Sequence, residues 1–306
     1  MDGMARAGDV PVVELDAVCK AYGATEALRG IDLRIEPGEL MAILGPNGAG
    51  KTTAINLMLG LRRATSGEVR LFGLAPTDRR AQSRRGVMLQ ESGVPGVLTV
   101  RELVDLFRAY YPAPLGADVA IGLAGLAEQA SKRVGQLSGG QRQRLYFALA
   151  VCGDPDALFL DEPTVAMDVA ARRAFLATIR EFAAEGRTVV LTTHDLDEAD
   201  ELAQRVVVID HGRVVADDTP ARLKARVPGK RVRFRTDAPL HNGWTVGLPV
   251  RGLSVHDGEV RFLSNEPEDV LAALFAQGIR PHDLEVAGAD LEEAFLALTS
   301  PQGVLQ

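Results

Sequence analysis

The chain has 306 residues, 46% hydrophobic and 25% charged, with a formal net charge of −7. That length exceeds most single cores and suits two domains, while the composition is that of an ordinary soluble globular protein. The acidic balance excludes a long-range pull toward nucleic acid, and no uninterrupted apolar stretch approaches the roughly 18 residues of a membrane span.

Taken in chain order, Val12-Val13-Glu14-Leu15 and Ile31-Asp32-Leu33-Arg34-Ile35 show strand character, the second alternating with period two. Pro37-Gly38 is expected to turn that strand back into residues 39–44, an antiparallel element. Residues 45–53 read Gly45-Pro46-Asn47-Gly48-Ala49-Gly50-Lys51-Thr52-Thr53, and Ile55, Met58 and Leu59 suit a helix closed by Gly60. Another alternating strand is expected over 68–72. Thr99 and Glu102 form a capping box, behind which Leu103, Leu106, Phe107 and Tyr110 keep helical spacing until Tyr111-Pro112-Ala113-Pro114. The region of about 97–150 therefore reads as a helical insertion in an α/β core. From 157 the rhythm is strand (157–160), helix (169–185) and strand (188–193), which implies a parallel sheet with helices on its faces. Residues 206–209 and 213–216 read as a hairpin across Asp210-His211-Gly212. Past Pro228-Gly229, strands are expected over 231–235, 260–262 and 284–286, with helices over 268–276 and 290–298. The fold class is thus α/β: a phosphate-loop core with an antiparallel β subdomain and helical insertion over 1–221, then a small α+β domain over 222–306. The opening Met1-Asp2-Gly3-Met4-Ala5-Arg6 lacks a secretory apolar core, and Cys19 and Cys152 read as scattered thiols in a reducing cytosol.

Three segments carry chemistry. In 45–53 the glycines remove Cβ atoms so that consecutive backbone N–H groups can cradle an anion, helped by the positive end of the following helix. Lys51 is expected to reach β- and γ-phosphate oxygens and the Thr52 hydroxyl to ligate Mg²⁺. Leu158-Phe159-Leu160-Asp161-Glu162 is an apolar strand ending in two carboxylates, costly to desolvate unless they meet a cation. Asp161 suits Mg²⁺, and Glu162, pointing elsewhere, suits polarising an attacking water. Leu137-Ser138-Gly139-Gly140-Gln141 opens a helix and offers a hydroxyl and bare amides, a second anion site. As a lone pentapeptide it would equally be a capped surface helix. One chain does not normally wrap both anion sites around one γ-phosphate, so a head-to-tail pair of subunits is expected.

In this order and spacing the motifs, over about 12–220, resemble the nucleotide-binding subunit of an ATP-binding cassette transporter. That resemblance implies ATP with Mg²⁺, with Tyr22 of Lys20-Ala21-Tyr22-Gly23 stacking on adenine. It implies that Gln90 touches Mg²⁺ and water and senses a permease, that Asp168 links the two active sites, and that His194 contacts the γ-phosphate. Family members usually carry Gly-Leu before the linking aspartate, where this chain has Ala166-Met167; alanine is strained there if the backbone needs φ > 0.

Residues 290–299, Asp290-Leu291-Glu292-Glu293-Ala294-Phe295-Leu296-Ala297-Leu298-Thr299, resemble the C-terminal helix of bacterial ATPases serving multidrug, antibiotic or lipid exporters. Met88-Leu89-Gln90-Glu91 and Leu98-Thr99-Val100-Arg101-Glu102 fit that group too. The partners implied are a second ATPase copy and a separate integral membrane permease, with this subunit cytoplasmic and peripheral on the inner face of a bacterial plasma membrane. An importer ATPase would share every catalytic residue. A soluble cassette acting on ribosomes or DNA would typically show two cassettes, a long coiled coil or a basic surface.

Overall fold

The apolar periodicities become three sheets in the computed structural model, which describes residues 10–89, 93–236 and 244–299. Contacts divide the chain into two units, Met1–Asp217 and Asp218–Gln306.

In the first unit, β1 (Val13–Tyr22) and β2 (Thr25–Ile35) pair antiparallel, placing Val13 opposite Ile35 and Tyr22 opposite Thr25. The next strand, β3 (Leu40–Leu44), is buried at all five positions. It does not turn back on β2 as the Pro37-Gly38 signal suggested. It lies instead in a different sheet, parallel to its neighbours. The reason is burial on both faces: β2 alternates buried and exposed residues and is satisfied on one side, whereas a fully apolar strand needs helices above and below it. Pro37-Gly38 thus carries the chain between sheets. After α1 (Lys51–Met58), β4 (Ser66–Leu71) pairs antiparallel with β1, completing the order β2-β1-β4.

The short α2 (Arg79–Gln82) leads to β5 (Arg85–Met88). The helical insertion then holds α3 (Val100–Arg108), α4 (Ala117–Leu123), two short 3₁₀ turns and α5 (Gly139–Val151). Thr99 and Glu102 form the anticipated capping box. The apolar face of α3 differs from expectation. Val100, Leu103 and Val104 are buried, while Leu106 is 45% exposed and Tyr110, beyond the helix end, is 77% exposed. The i, i+3, i+4 seam starting at Val100 packs inward and shares Leu103 with the expected stripe, whose later members Leu106 and Tyr110 lie around the cylinder from it.

The remaining elements of this unit are β6 (Ala157–Asp161), α6 (Val169–Ala184), β7 (Thr188–Thr192), α7 (Leu196–Leu202), β8 (Arg205–Asp210) and β9 (Arg213–Asp218). Their sheet has the order β5-β6-β7-β3-β8-β9, with β5 through β8 parallel. Strands β6 and β7 are buried at every position. Their carboxyl ends share one edge with that of β3, the edge where open α/β sheets bind ligands. The loop after β3 and the start of α1 carry Gly45–Thr53, and the loops after β6 and β7 carry Glu162 and His194.

The second unit opens with α8 (Pro220–Ala225) and β10 (Lys230–Arg235), followed by β11 (Arg251–His256) and β12 (Glu259–Ser264). It closes with α9 (Pro267–Ala276), β13 (His282–Gly288) and α10 (Leu291–Thr299). The strands form an antiparallel sheet of order β11-β12-β10-β13. Val232, Phe234, Val260 and Phe262 point to one face, where Val270 and Leu274 of α9 and Trp244 pack on them. Strand β11 was not anticipated: all six of its residues are exposed, so burial left no alternation to read.

Candidate functional site

The loop after β3 is built by close approach. A Cβ at Gly45 would lie 2.2 Å from the carbonyl oxygen of Ile209, and one at Gly50 would lie 2.7 Å from that of Ala27. Neither position has room for a side chain, so the backbone itself lines the cradle. Ala49 is buried, while Pro46, Asn47, Gly48 and Thr52 are exposed and Thr53 is half-buried. Gly50 caps α1 with its backbone, leaving the first amides of that helix directed to the loop.

Lys51 is 7% exposed. Its ammonium donates to the carbonyls of Gly45 at 2.7 Å and Pro46 at 3.2 Å. Desolvation pushes its pKa down, and the nearby carboxylates of Glu162 and Asp161 partly hold it up. A buried cation whose hydrogen-bond acceptors are two neutral carbonyls fits an anionic ligand, since phosphate oxygens would supply the missing negative charge.

Asp161, at the end of β6, is 3% exposed and accepts a hydrogen bond from the Thr192 hydroxyl on adjacent β7. Glu162 follows with φ +49°, and its amide donates to the Thr192 carbonyl at 3.1 Å. His194 Nδ1 lies 3.5 Å from Glu162 Oε1, with the imidazole mostly exposed. Lys51, Asp161, Glu162 and His194 thus meet at one sheet edge.

Other expected site residues stand apart from this group. Tyr22 is 46% exposed at the end of β1, with the Lys20 ammonium 4.9 Å from its ring centroid. Ser138 and Gln141 form a reciprocal capping box at the start of α5: the Gln141 amide donates to Ser138 Oγ at 3.2 Å, and the Ser138 amide to Gln141 Oε1 at 3.1 Å. Ser138 and Gly139 are exposed and Gly140 is half-buried. Asp168 caps α6, accepting from the Ala171 amide at 2.8 Å. Gln90 lies outside the described residues.

Ala166 adopts φ +65°, so this position does require the left-handed region that its methyl disfavours. Its Cβ faces Gly139, where an added Cβ would come within 3.4 Å. Ala166→Gly relieves about 1–2 kcal/mol of backbone strain and adds about 0.4–1 kcal/mol of unfolded-chain entropy. The expected outcome is a net stabilisation of up to about 1.6 kcal/mol, read as a higher urea midpoint at unchanged slope; a lower midpoint would show that the methyl packs productively.

Sequence reasoning missed several residues around Glu162 and His194. Thr192 is fully buried and ties Asp161 to Glu162 across two strands. Glu198, 2% exposed, accepts from Thr164 and Thr193. Asp195 and Glu198 stand at helix-start spacing, and Asp195 caps α7; that signal was readable but pointed only to a helix.

The family profile described as ABC transporter matches residues 28–165. A daunorubicin resistance ATP-binding protein of Streptomyces coeruleorubidus is 35% identical, covering 94% of this chain and 95% of its own length. A Nod factor export ATP-binding protein of Paraburkholderia xenovorans is 39% identical, covering 70% of this chain and 72% of its own. An ATP-binding cassette solved as a dimer in a post-hydrolysis state with ADP and Pi is 28% identical. It covers 68% of this chain and 98% of its own, with a TM-score of 0.62. The chain belongs to the ABC transporter family, as an ATP-binding, ATP-hydrolysing cassette.

Proposed function

We propose that this cassette powers export of a drug, antibiotic or lipid through a separate membrane permease, working as a pair of ATPase copies. The observation that carries the reading is the length of the match to the daunorubicin resistance protein. It spans 94% of this chain, so it extends through the second unit as well as the cassette. The dimeric form of the cassette relative supports the pairing. No helix among the described residues is long and apolar enough to cross a membrane, in keeping with a peripheral subunit served by a separate permease. Residues 1–221 would form the ATPase domain and 222–306 an accessory domain.

In this reading Gly45–Thr53 hold the phosphates and Lys51 neutralises their negative charge, while Tyr22 offers an open aromatic face to the adenine. Among the described residues no group of three or more His, Cys, Asp or Glu clusters as a metal cage. That suits Mg²⁺, which takes one or two protein oxygens and completes its shell from phosphates and water. Asp161 and Thr52 would hold it, with Gln90. When bound, the ion neutralises charge across the β- and γ-oxygens. Glu162 accepts the proton of the attacking water, and His194 and Lys51 stabilise charge on the γ-phosphate oxygens. Ser138, Gly139, Gly140 and Gln141 would cap the nucleotide of the partner copy, and Asp168 would join the two sites.

The test is recovery from membranes. Tagged protein, solubilised with mild detergent, should bring down an integral membrane protein of about six spans. Vesicles bearing the pair, ATPase side out, should accumulate an amphiphilic drug when ATP is added. Recovery with a substrate-binding protein and uptake in the opposite sense would replace export with import.

A further inference from the structure

Beside the catalytic edge lies a buried ionic clasp. The Glu198 carboxylate accepts hydrogen bonds from Thr164 Oγ1 at 2.5 Å and Thr193 Oγ1 at 2.9 Å. Thr164 is two residues past Glu162, and Thr193 immediately precedes His194. One carboxylate therefore joins the loop carrying the candidate base to the loop carrying the candidate γ-phosphate contact. All three of these residues are buried, at 2%, 7% and 2% exposure for Glu198, Thr164 and Thr193. A carboxylate so placed is costly unless a cation stands beside it.

That cation comes from α6. Arg172 Nε is 3.4 Å from Glu198 Oε1, and its guanidinium also pairs with Asp195. Asp195 in turn caps α7 through the Asp197 and Glu198 amides, at 3.1 and 3.2 Å. Arg172 sits one turn into α6, where its amide donates to the Asp168 carbonyl at 2.8 Å. The path from Asp168 to His194 is thus one helical turn and one ion-pair cluster.

The clasp is also incompletely satisfied. Arg172 Nε is the buried side-chain nitrogen that, among the described residues, has no hydrogen-bond partner. At 3.4 Å from Glu198 Oε1 it makes an ion pair without the alignment of a hydrogen bond.

We propose that Glu198 and Arg172 are positioning residues. They hold Glu162 and His194 in register and convey the placement of the Asp168 loop to both. This inference rests on Glu162 and His194 acting in hydrolysis, as set out above.

The experiment compares Arg172→Ala and Glu198→Gln with wild type and with Glu162→Gln, in steady-state and single-turnover ATP hydrolysis by the full chain. Each clasp variant should lower kcat about tenfold, as misplacement of a catalytic pair does, with KM for ATP within about twofold. Introduced into His194→Ala, either change should lower the single-turnover rate by clearly less than the factor it costs in wild type, because one of the two groups it positions is gone. General loss of structure would instead multiply the two defects. Circular dichroism at the assay temperature identifies any unfolded variant, and Arg172→Ala, on a partly exposed side chain, decides if Glu198→Gln does not fold. Values of kcat within about twofold of wild type, or losses that multiply with His194→Ala, overturn the proposal. If Glu162→Gln itself turns over normally, the catalytic reading is what fails, and the positioning role assigned to the clasp falls with it.

Discussion

Glu162→Gln is expected to lower ATP turnover by about 10²–10⁴-fold, the contribution of a positioned general base, while leaving ATP binding intact. The structure explains the separation. The Glu162 side chain is 17% exposed and stands 3.5 Å from His194 Nδ1, whereas the proposed phosphate cradle consists of backbone around Gly45 and Gly50 together with Lys51. Glutamine keeps the shape and an oxygen acceptor toward His194 but cannot take a proton from water. Removing one negative charge near the γ-phosphate also relieves repulsion, so nucleotide affinity should hold or rise. The bound state should therefore accumulate, and the variant should elute as a dimer on gel filtration with Mg²⁺ and ATP. Single-turnover hydrolysis is the deciding measurement, and a rate within about threefold of wild type would remove Glu162 from the chemistry. The positive φ of Glu162 is part of the same picture: strained backbone persists where surrounding structure holds it, here through the Thr192 bonds.

Lys51→Ala is expected to act on the other half of the reaction, abolishing useful nucleotide binding. Truncating one partner of a buried charged contact costs about 2–5 kcal/mol. At about 1.4 kcal/mol per decade, this weakens ATP binding about 30- to several thousand-fold. The unliganded variant should nonetheless fold within about 1 kcal/mol of wild type. Desolvation already pushes the Lys51 pKa down despite Glu162 and Asp161, so the folded protein bears an electrostatic cost for that charge, which the substitution removes. Thermal melts with and without ATP separate the two effects. Wild type should gain stability with ligand concentration and the variant should not. A nucleotide-dependent rise in Tm equal to that of wild type would show that Lys51 does not bear on the phosphates.

How far the site was legible depends on sequence distance. The glycine-lysine loop, the capping box at Thr99, the helix start at Ser138, and the apolar strand ending in Asp161-Glu162 are each contained in a few consecutive residues. Their physics is local: missing Cβ atoms, a side chain reaching an amide three residues on, an uninterrupted buried run. The clasp was not legible, because Arg172 meets Glu198 and Thr164 meets Glu198 across 26 and 34 residues, between loops of different strands. Taken alone, Arg172 is a surface arginine on an amphipathic helix and Glu198 an acidic residue in a helix's first turn. Burial of Glu198 to 2% exposure is what turns it from solvated to structural, and burial belongs to the assembled fold.

The sequence by itself determined the class of ligand, the α/β alternation and the family, because each rests on residue types at short, fixed spacing. Tertiary structure decided which sheet β3 joins, which stripe of α3 faces inward, and that Ala166 lies in the left-handed region. It also decided that Thr192, Glu198 and Arg172 bind the loops of Glu162 and His194 together. Each of these outcomes depends on what covers a face or faces a charge after distant segments have packed. Short-range periodicity carries no record of that.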